Sequence, residues 1–358
     1  MQPQQAPNPP AAMLLEGMTL DGGWKVRKRL EKPLDATGGY FSCGYSVECE
    51  DGRKGFLKAL DYSRAFFQTD KPISVALQEL TESLNFEKYV LARCRDRRLD
   101  RVVISIADGT VEVGQPGIGT VEYLIFEFAD GGDLRKQMSV VNNLDFLWRL
   151  KMLHHIATGL YQLHQQGIAH QDVKPSNVLV FGDGLSKLAD FGRAACRGQH
   201  PPHEEIDVPG DVTYAPPELL YRCPDPDWEK RRFSCDAYLL GSMVVYLFTG
   251  QAMTALILSE MSHDHAQWQF YDGDFADIKP YLVDAFGRAI EKFSQHLPGK
   301  LAPHLVEIVR QLCTPDPERR GHPRERVPKG RQFSLERYRT TFDLLVKRAE
   351  VGLFGPIP

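Results

Sequence analysis

The sequence predicts an α+β protein in which a small β-rich unit with one main helix precedes a larger, mostly helical unit. Short runs of strand-forming residues, broken by glycines, extend from Trp24 to Leu60 and return between Val102 and Phe128. Leucines spaced three, four and seven residues apart mark a helix between these runs. After Asp133 the spacing of apolar residues becomes helical. Two units of different secondary structure are therefore expected.

The composition is that of a globular protein and argues against several classes of partner. The formal net charge of the 358 residues is −4, which is too small to indicate nucleic acid or an acidic membrane surface. The longest strongly apolar run, Tyr238 to Phe248, is shorter than the roughly 20 residues that a membrane-spanning helix needs. Seven cysteines, an odd number without CxxC spacing, indicate reduced thiols. We therefore expect a cytoplasmic protein that binds neither nucleic acid nor membrane, and the oligomeric state stays open.

The elements of the first unit can be placed from the N-terminus. Residues 1–20 are rich in Gln, Pro and Ala, which predicts a disordered or loosely attached tail. Strands are expected at Trp24–Val26, Tyr45–Cys49 and Gly55–Leu60. A glycine-rich stretch, Thr37–Gly44, lies between the first two strands.

The second unit carries the residues with the clearest chemistry. His170–Asn177 reads HQDVKPSN, Asp190–Gly192 reads DFG, and Tyr214–Glu218 reads YAPPE. In this order the segments resemble the catalytic loop, the D-F-G element and the A-P-E element of protein kinases. The resemblance covers roughly residues 24–320. The order of the motifs, after a β-rich unit, makes the resemblance specific.

The resemblance implies a bilobal protein-kinase-like fold and transfer of phosphate from ATP, with Mg²⁺, to a protein substrate. The implied N-lobe covers residues 21–128 and the C-lobe residues 129–325, with a basic linker and a C-terminal helix at 326–358. A lysine two residues after the catalytic aspartate, here Lys174, is typical of Ser/Thr kinases. The expected acceptors are therefore Ser or Thr hydroxyls of a protein.

The family pattern assigns a role to each matching residue of the catalytic segments. Asp172 would be the catalytic base, and Lys174 would lie near the γ-phosphate. Asn177 and Asp190 would supply oxygen ligands to Mg²⁺, which prefers oxygen and binds through few protein ligands. These roles suit a reaction that depends on positioning and charge neutralisation.

Lys58 matches the strand lysine that grips the α- and β-phosphates, and it needs an anionic partner. Glu87 falls on the leucine stripe of the predicted helix, where a leucine would be expected. Glu79 and Glu82 lie off the stripe and would face solvent. Glu87 is therefore the expected partner of Lys58, and both are expected to act in catalysis.

The remaining matches concern the nucleotide and the fold. The residues expected to contact ATP are Gly38, Gly39, Gly44, Val47, Lys58, Glu127, Ala129 and Leu179. Asp236 is expected to tie the backbone of the catalytic loop. Glu218 and Arg320 are expected to pin the end of the activation segment, the chain between the D-F-G and A-P-E elements.

Two departures from the family pattern affect the nucleotide site. Gly44 stands three residues before Val47, where the family has two. Either the loop is shifted by one residue or the strand carries a bulge. Phe56 occupies the place of a small residue above the adenine, so its ring would crowd the pocket or stack on the base in a different pose.

Two further departures affect the activation segment. Gln171 replaces the arginine that in many kinases pairs with a phosphate on this segment, and residues 193–211 contain no Ser, Thr or Tyr. We therefore predict that catalysis does not depend on phosphorylation there. Glu204, Glu205 and Asp207 could hold the segment to a basic patch, but a solvated acidic loop is the favoured interpretation.

The sequence leaves three functions open. An active Ser/Thr kinase is favoured by the full set of charged and metal-binding residues, Lys58, Glu87, Asp172, Asn177 and Asp190. A pseudokinase, acting as a nucleotide- or partner-binding scaffold, is supported by Phe56 and the irregular glycine-rich loop. A small-molecule kinase of the aminoglycoside or choline type shares the catalytic Asp and Asn but lacks the A-P-E segment. Asp211 replaces a threonine that helps to distinguish substrates, which leaves the peptide specificity open.

Overall fold

The chain forms two compact units. The computed structural model describes residues 9–31, 42–67, 71–114, 119–140, 145–327 and 330–354. The first unit consists of Met1–Arg97 and Val103–Asp130, and the second of Arg98–Val102 and Gly131–Pro358. The first is mainly β-sheet and the second mainly helical, so the predicted fold class is confirmed.

The first unit is built on an antiparallel sheet and one long helix. The strands are β1 (Thr19–Leu20), β2 (Trp24–Leu30), β3 (Ser42–Cys49), β4 (Lys54–Leu60), β5 (Ser105–Glu112) and β6 (Thr120–Glu127). They pair in the order β1-β2-β3-β4-β6-β5. The helix α1 covers Ile73–Asp96, and its buried stripe includes Leu80, Leu84, Leu91 and the predicted Glu87.

Strand alternation gives this sheet two different faces, because neighbouring residues of a strand point in opposite directions. One face carries the buried apolar side chains Tyr45, Val47, Leu57 and Ile125. The opposite face carries Gly44 and Ser46 of β3, which pair with Lys58 and Phe56 of β4. We call this second face the Lys58 face.

Residues 9–20 pack against the first unit, and Ala12, Leu15 and Leu20 lie in its core, so the prediction of a loose tail is wrong for this segment. Leu15 is fully buried, Ala12 nearly so, and the hydroxyl of Tyr45 donates a hydrogen bond to the Ala12 carbonyl at 2.7 Å. The apolar residues of this segment cover a face of the sheet that would otherwise lose its hydrophobic burial. The Gln- and Pro-rich composition of the N-terminus gave no indication that these residues are buried. Residues 1–8 lie outside the described part of the chain.

A β-bulge lies in β2. Val26 and Lys28 pair with consecutive residues of β3, so Arg27 is the inserted residue. The pairing of β3 with β4 continues without a shift. The strand that carries Gly44 and Val47 therefore has no bulge against β4, and the loop before Ser42 lies outside the described residues, so a shift of the loop stays a prediction.

The second unit contains nine described helices and short strands that position the catalytic segments. The helices are α2 (Leu134–Val140), α3 (Phe146–Gln165), α4 (Pro217–Leu220), α5 (Trp228–Thr249), α6 (Met253–Ser259), α7 (His263–Ala266), α8 (Phe275–Ser294), α9 (Ala302–Cys313) and α10 (Glu336–Glu350). The strands are β7 (Gly132–Asp133), β8 (Ile168–Ala169), β9 (Val178–Val180), β10 (Ser186–Leu188) and β11 (Ala195–Cys196). Strands β7, β9 and β10 form one small sheet, and β8 pairs with β11.

Helix α5 is the central helix of the second unit. The side chain of Asp227 caps its first turn by accepting a hydrogen bond from the Lys230 backbone, and Gly250 ends it in the left-handed region. Every residue from Phe233 to Val245 is buried. Among the described residues no single helix is both long and apolar enough to cross a membrane. Helices α5 and α6 meet both conditions only as a pair, with a bend of 78° between them.

The predicted C-terminal helix is α10, and it packs on α3. Phe342 is fully buried and Leu345 nearly so. The guanidinium of Arg339 lies over the ring of Tyr161 in α3, 4.6 Å from its centroid. This helix is therefore an integral part of the second unit.

Candidate active site

A buried carboxylate holds the backbone of the catalytic segment His170–Asn177. Asp236 of α5 is fully buried and accepts backbone hydrogen bonds from His170 at 2.8 Å and Gln171 at 2.7 Å. The ring Nε2 of His164 lies 2.8 Å from the same carboxylate. The expected tie between Asp236 and the loop is present in the structure.

Two residues of the site have left-handed backbone conformations. The φ angle is 62° at Gln171 and 64° at Asp190. For residues other than glycine this region costs about 1–3 kcal/mol and persists where surrounding bonds enforce it. The hydrogen bonds to Asp236 restrain the backbone of Gln171. The backbone of Ala189, directly before Asp190, is restrained by the hydrogen bond from its N–H to the Asn177 carbonyl at 2.9 Å.

Asp172 lies at the centre of the catalytic segment, buried among polar groups. The side-chain amide of Asn177 donates to the Asp172 carbonyl at 2.8 Å and to its Oδ2 at 2.9 Å. Lys174 Nζ lies 3.2 Å from the same Oδ2. The backbone N–H of Asp211 donates to Oδ1 at 2.9 Å. Both carboxylate oxygens are therefore fixed, and the lysine balances their charge.

The surroundings of Asp172 also change its acidity. Burial raises the pKa of the Asp172 carboxyl, the charge of Lys174 opposes this rise, and the charge of Asp190 adds to it. A carboxylate whose pKa is moved towards the working pH is a better proton acceptor. The environment of Asp172 therefore suits a general base.

Asn177 and Asp190 fit a magnesium site of low protein coordination. The neighbours of Asp190 are fixed, because His170 Nε2 lies 3.1 Å from the Ala189 carbonyl and the His170 ring packs on Phe191 at 5.0 Å between centroids. Within the described ranges, no group of three or more His, Cys, Asp or Glu side chains is arranged to hold a metal. One carboxylate and one amide suit Mg²⁺, which completes its shell with water and substrate phosphates.

In the first unit, Lys58 and Glu87 form the expected ion pair. Lys58 Nζ lies 2.9 and 2.8 Å from the two carboxylate oxygens of Glu87. The side chain of Glu87 is 6% exposed and that of Lys58 is 22% exposed. A charged hydrogen-bonded pair with one buried partner is stronger than an exposed surface pair. The ammonium group is therefore held in one direction.

Val47 does not lie on the Lys58 face, so its predicted contact with ATP is wrong. It is 2% exposed and packs in the apolar core of the first unit. Because it stands three residues after Gly44, strand alternation sends the two to opposite faces. Ser46 takes the position two residues after Gly44 instead. The predicted contacts Gly38 and Gly39 lie outside the described residues.

Phe56 and Gly44 fit together on the Lys58 face. A Cβ at Gly44 would lie 2.9 Å from Phe56 Cε2, so glycine makes room for the ring. The rings of Phe56 and Phe126 lie 6.5 Å apart between centroids. Phe56 is partly exposed and therefore contributes an aromatic surface beside Lys58.

The other predicted nucleotide contacts lie at or near strands. Glu127 ends β6, and its Oε1 accepts a hydrogen bond from the Ile104 N–H at 2.8 Å. Ala129, two residues later, is partly exposed, as is Leu179 in β9 of the second unit. Their contribution to nucleotide binding stays a prediction.

Glu218 and Arg320 form the expected ion pair inside the second unit. Arg320 is fully buried, and its Nη2 lies 2.9 Å from Glu218 Oε2. The same guanidinium donates to the Thr314 carbonyl at 3.0 Å and to Ser234 Oγ at 2.8 Å. This pair joins the start of α4 to the chain that follows α9.

Asp211 is a site residue that sequence reasoning missed. Its carboxylate lies 3.4 Å from Lys174 Nζ, in addition to the bond from its backbone to Asp172. A Cβ at the preceding Gly210 would lie 2.3 Å from the Gln171 carbonyl oxygen, so only glycine allows this close approach. The sequence indicated that a threonine was missing here, but not that the aspartate would pair with the lysine.

Glu204 is also placed differently from the favoured prediction of a solvated acidic loop. Its carboxylate forms ion pairs with Arg231 and Arg232 at the start of α5. Glu205 and Asp207 are exposed. The prediction is therefore wrong for Glu204, because the loop folds back onto a basic pair that is distant in sequence.

The fold and the arrangement of these residues are similar to those of protein kinases, and comparison with known proteins agrees. Residues 77–328 match the family model of the protein kinase domain. This is more than half of the chain, so the chain belongs to the protein kinase family.

Several curated kinases are similar to this chain at low identity. Serine/threonine-protein kinase PknA of Mycobacterium tuberculosis is 28% identical over 202 residues, which is 56% of this chain and 42% of the relative. Cyclin-dependent kinase-like 2 of Mus musculus is 27% identical over 211 residues, covering 55% and 35%. Receptor protein-tyrosine kinase CEPR2 of Arabidopsis thaliana is 30% identical over 219 residues, covering 54% and 21%. The chain spans less than half the length of each of these relatives.

Proposed function

We propose that the chain is an active Ser/Thr protein kinase that uses ATP and Mg²⁺. The observation that carries the proposal is the environment of Asp172, a buried carboxylate fixed on both oxygens and balanced by Lys174. Burial raises the pKa of this carboxyl, and a general base is more efficient when its pKa lies nearer the working pH.

Each group has a defined task in the proposed reaction. Asp172 accepts the proton of the attacking hydroxyl, and Lys174, which lies 3.2 Å from Asp172 Oδ2, would neutralise phosphate charge. Lys58, which pairs with Glu87, would bind phosphate oxygens. Asn177 and Asp190 would hold Mg²⁺, which when bound neutralises phosphate charge.

The acceptor class and the location are parts of this proposal. Lys174 two residues after Asp172 supports Ser or Thr as the acceptor, as does the similarity to PknA, whose name describes a serine/threonine kinase. The seven cysteines are thiols, which supports a cytoplasmic location. The absence of any hydroxyl amino acid from residues 193–211 supports catalysis that is independent of phosphorylation there.

A pseudokinase is the second candidate, because Phe56 places a bulky ring on the Lys58 face. Such a protein would keep the fold and a partner-binding surface but would not transfer phosphate. The intact Asp172, Asn177 and Lys174 cluster favours the enzyme over this candidate.

Acceptor analysis tests the proposed function. Protein pretreated with phosphatase is incubated with Mg-ATP labelled on the γ-phosphate and with a generic Ser/Thr-rich protein, and the labelled amino acids are identified. We expect phosphoserine and phosphothreonine, at the same rate with and without the pretreatment. Label found only on tyrosine, or only on choline or an aminoglycoside, would contradict the proposed acceptor.

Replacing Glu87 with glutamine should lower kcat/KM by about 10- to 100-fold. The change removes the charge that orients Lys58 but keeps the shape, and a hydrogen bond to a charged group contributes about 1.5–3 kcal/mol. Steady-state kinetics with varied ATP measures the effect. Glu82→Gln, on the exposed side of the same helix, is the matched control and should behave like wild type. If Glu87→Gln and Glu82→Gln had the same kcat/KM, Glu87 would have no role in the site.

The pH dependence of kcat/KM, which reports the pKa values of the free enzyme, should show an acid limb that is displaced to higher pH. The base must be deprotonated to act, and the raised pKa of Asp172 means that activity is present above this pKa and lost as the pH falls through it. The inflection should therefore lie above the ordinary aspartate value of about 3.9. Lys174→Met should move it further up, since Lys174 lowers this pKa. An inflection at or below the ordinary value would show that Asp172 is not the titrating base.

A further inference from the structure

We infer that Glu204 is a positioning residue that anchors the activation segment to α5 and to the catalytic segment, in the place of a regulatory phosphate. The inference deepens the proposed function and rests on it for its kinetic consequence. Its structural part, the anchoring of residues 193–211, can be measured independently.

The carboxylate of Glu204 bridges two arginines at the start of α5. Its Oε1 lies 3.1 Å from Arg231 Nη1, and its Oε2 lies 2.7 Å from Arg232 Nη2. Arg231 also donates to the backbone carbonyl of Glu204 at 2.9 Å. One residue of the segment is thus held through both its side chain and its backbone.

Arg232 requires an anion at this place. Its side chain is 1% exposed, and a buried guanidinium is costly unless it is paired. Glu204 supplies the negative charge from a loop, whereas the neighbouring Glu205 and Asp207 remain exposed. The Glu204–Arg232 ion pair therefore compensates the buried charge of Arg232 and holds the loop against α5.

The contact continues from Arg232 to the residue beside the catalytic base. Arg232 Nη1 donates to Gln171 Oε1 at 2.5 Å, and Gln171 Nε2 donates to the Arg193 carbonyl at 2.9 Å. Gln171 directly precedes Asp172. One chain of polar contacts therefore joins Glu204, the beginning of the activation segment and the catalytic segment.

The far end of the same segment docks directly on the base. Gly210 approaches the Gln171 carbonyl closely, and the Asp211 N–H donates to Asp172 Oδ1. Release of Glu204 would free the stretch before Gly210 and loosen this contact. Because residues 193–211 contain no Ser, Thr or Tyr, the anion in this position is a permanent carboxylate and not a reversible phosphate.

The test compares Glu204→Gln with Glu204→Asp and with the matched control Glu205→Gln. For each variant, kcat, the KM for ATP and the hydrogen exchange of amides 193–211 are measured. We expect Glu204→Gln to lower kcat by about tenfold, in line with a lost charged hydrogen bond, with little change in the KM for ATP. We expect faster exchange across the segment, partial recovery of both properties in Glu204→Asp, and wild-type behaviour in Glu205→Gln.

The outcomes separate this inference from the proposed function. Glu204 is not a positioning residue if Glu204→Gln shows the same hydrogen exchange of amides 193–211 and the same kcat as Glu205→Gln. The same conclusion follows if Glu204→Gln only unfolds at a lower temperature and its kcat is unchanged. If the wild type transfers no phosphate, the proposed function fails, and exchange alone then decides whether Glu204 anchors the segment. Exchange that is equally fast in wild type and Glu204→Gln would overturn the anchor whatever the activity.

Discussion

Replacing Asp172 with asparagine should lower kcat for phosphate transfer by about 10²–10⁴-fold, the usual contribution of a positioned general base. Asparagine keeps the shape and can still accept the hydrogen bond from Asp211 at one oxygen. It cannot take the proton of the acceptor, and it leaves Lys174 without one of its two carboxylate neighbours. The affinity for ATP should change little, because the loss concerns the transfer step.

The control for this variant is Asp183→Asn, the same substitution at an exposed turn of the second unit. It should leave kcat and the KM for ATP at their wild-type values. Thermal unfolding of both variants checks that the fold is retained. If Asp172→Asn kept a kcat comparable with that of Asp183→Asn, the role of Asp172 as base would be wrong.

Replacing Arg320 with methionine should lower the free energy of unfolding of the second unit by about 3–5 kcal/mol. The change leaves the buried Glu218 carboxylate without its cation and removes donors from the Thr314 carbonyl and Ser234 Oγ. Urea denaturation followed by tryptophan fluorescence measures the loss. The double variant Glu218→Gln/Arg320→Met should lose less than the sum of the two single losses, because the two side chains share one interaction.

An exposed ion pair provides the control for this stability effect. Lys347 and Asp343 of α10 are paired, with side chains 67% and 39% exposed. Lys347→Met should change the unfolding free energy by no more than about 0.5 kcal/mol. A comparably small effect of Arg320→Met would show that the buried pair does not stabilise the second unit.

The parts of the fold that the sequence predicted are those with local signals. The leucine stripe of α1 identified both the helix and the one acid on its buried side, Glu87. The burial of residues 9–20 could not be predicted in this way. It depends on the apolar face of the sheet that carries Tyr45 and Val47, and a segment without regular periodicity does not indicate which surface it covers.

The site was predictable where the chain order fixes neighbours and less so where distant segments meet. Asp172, Asn177 and Lys174 are close in sequence, and the structure brings them together. Val47 was misassigned because the family pattern was followed although Val47 stands three residues after Gly44, and residues three apart on a regular strand point to opposite faces. The ion pairs of Glu204 join residues 27 and 28 positions apart, and nothing local to the loop indicates them.

The same reasoning explains why the contacts of Asp211 in the site were not predicted from the sequence. Its identity departs from the family pattern, so the pattern gave it no role. Its contacts with Lys174 and Asp172 arise from the close approach that Gly210 permits. Such a contact depends on backbone packing and side-chain charge together. Neither produces a repeating pattern of residues in the sequence.

The most direct test of the account is phosphate transfer by the wild-type chain itself. Purified protein is incubated with γ-labelled ATP and a Ser/Thr acceptor protein, in Mg²⁺ and again after the metal has been removed by EDTA, with Asp172→Ala in parallel. We predict label on the acceptor with wild type and Mg²⁺ only. Wild-type protein that binds ATP but transfers no label in Mg²⁺, to the acceptor or to itself, would contradict the assignment of the Asp172 cluster as a catalytic site.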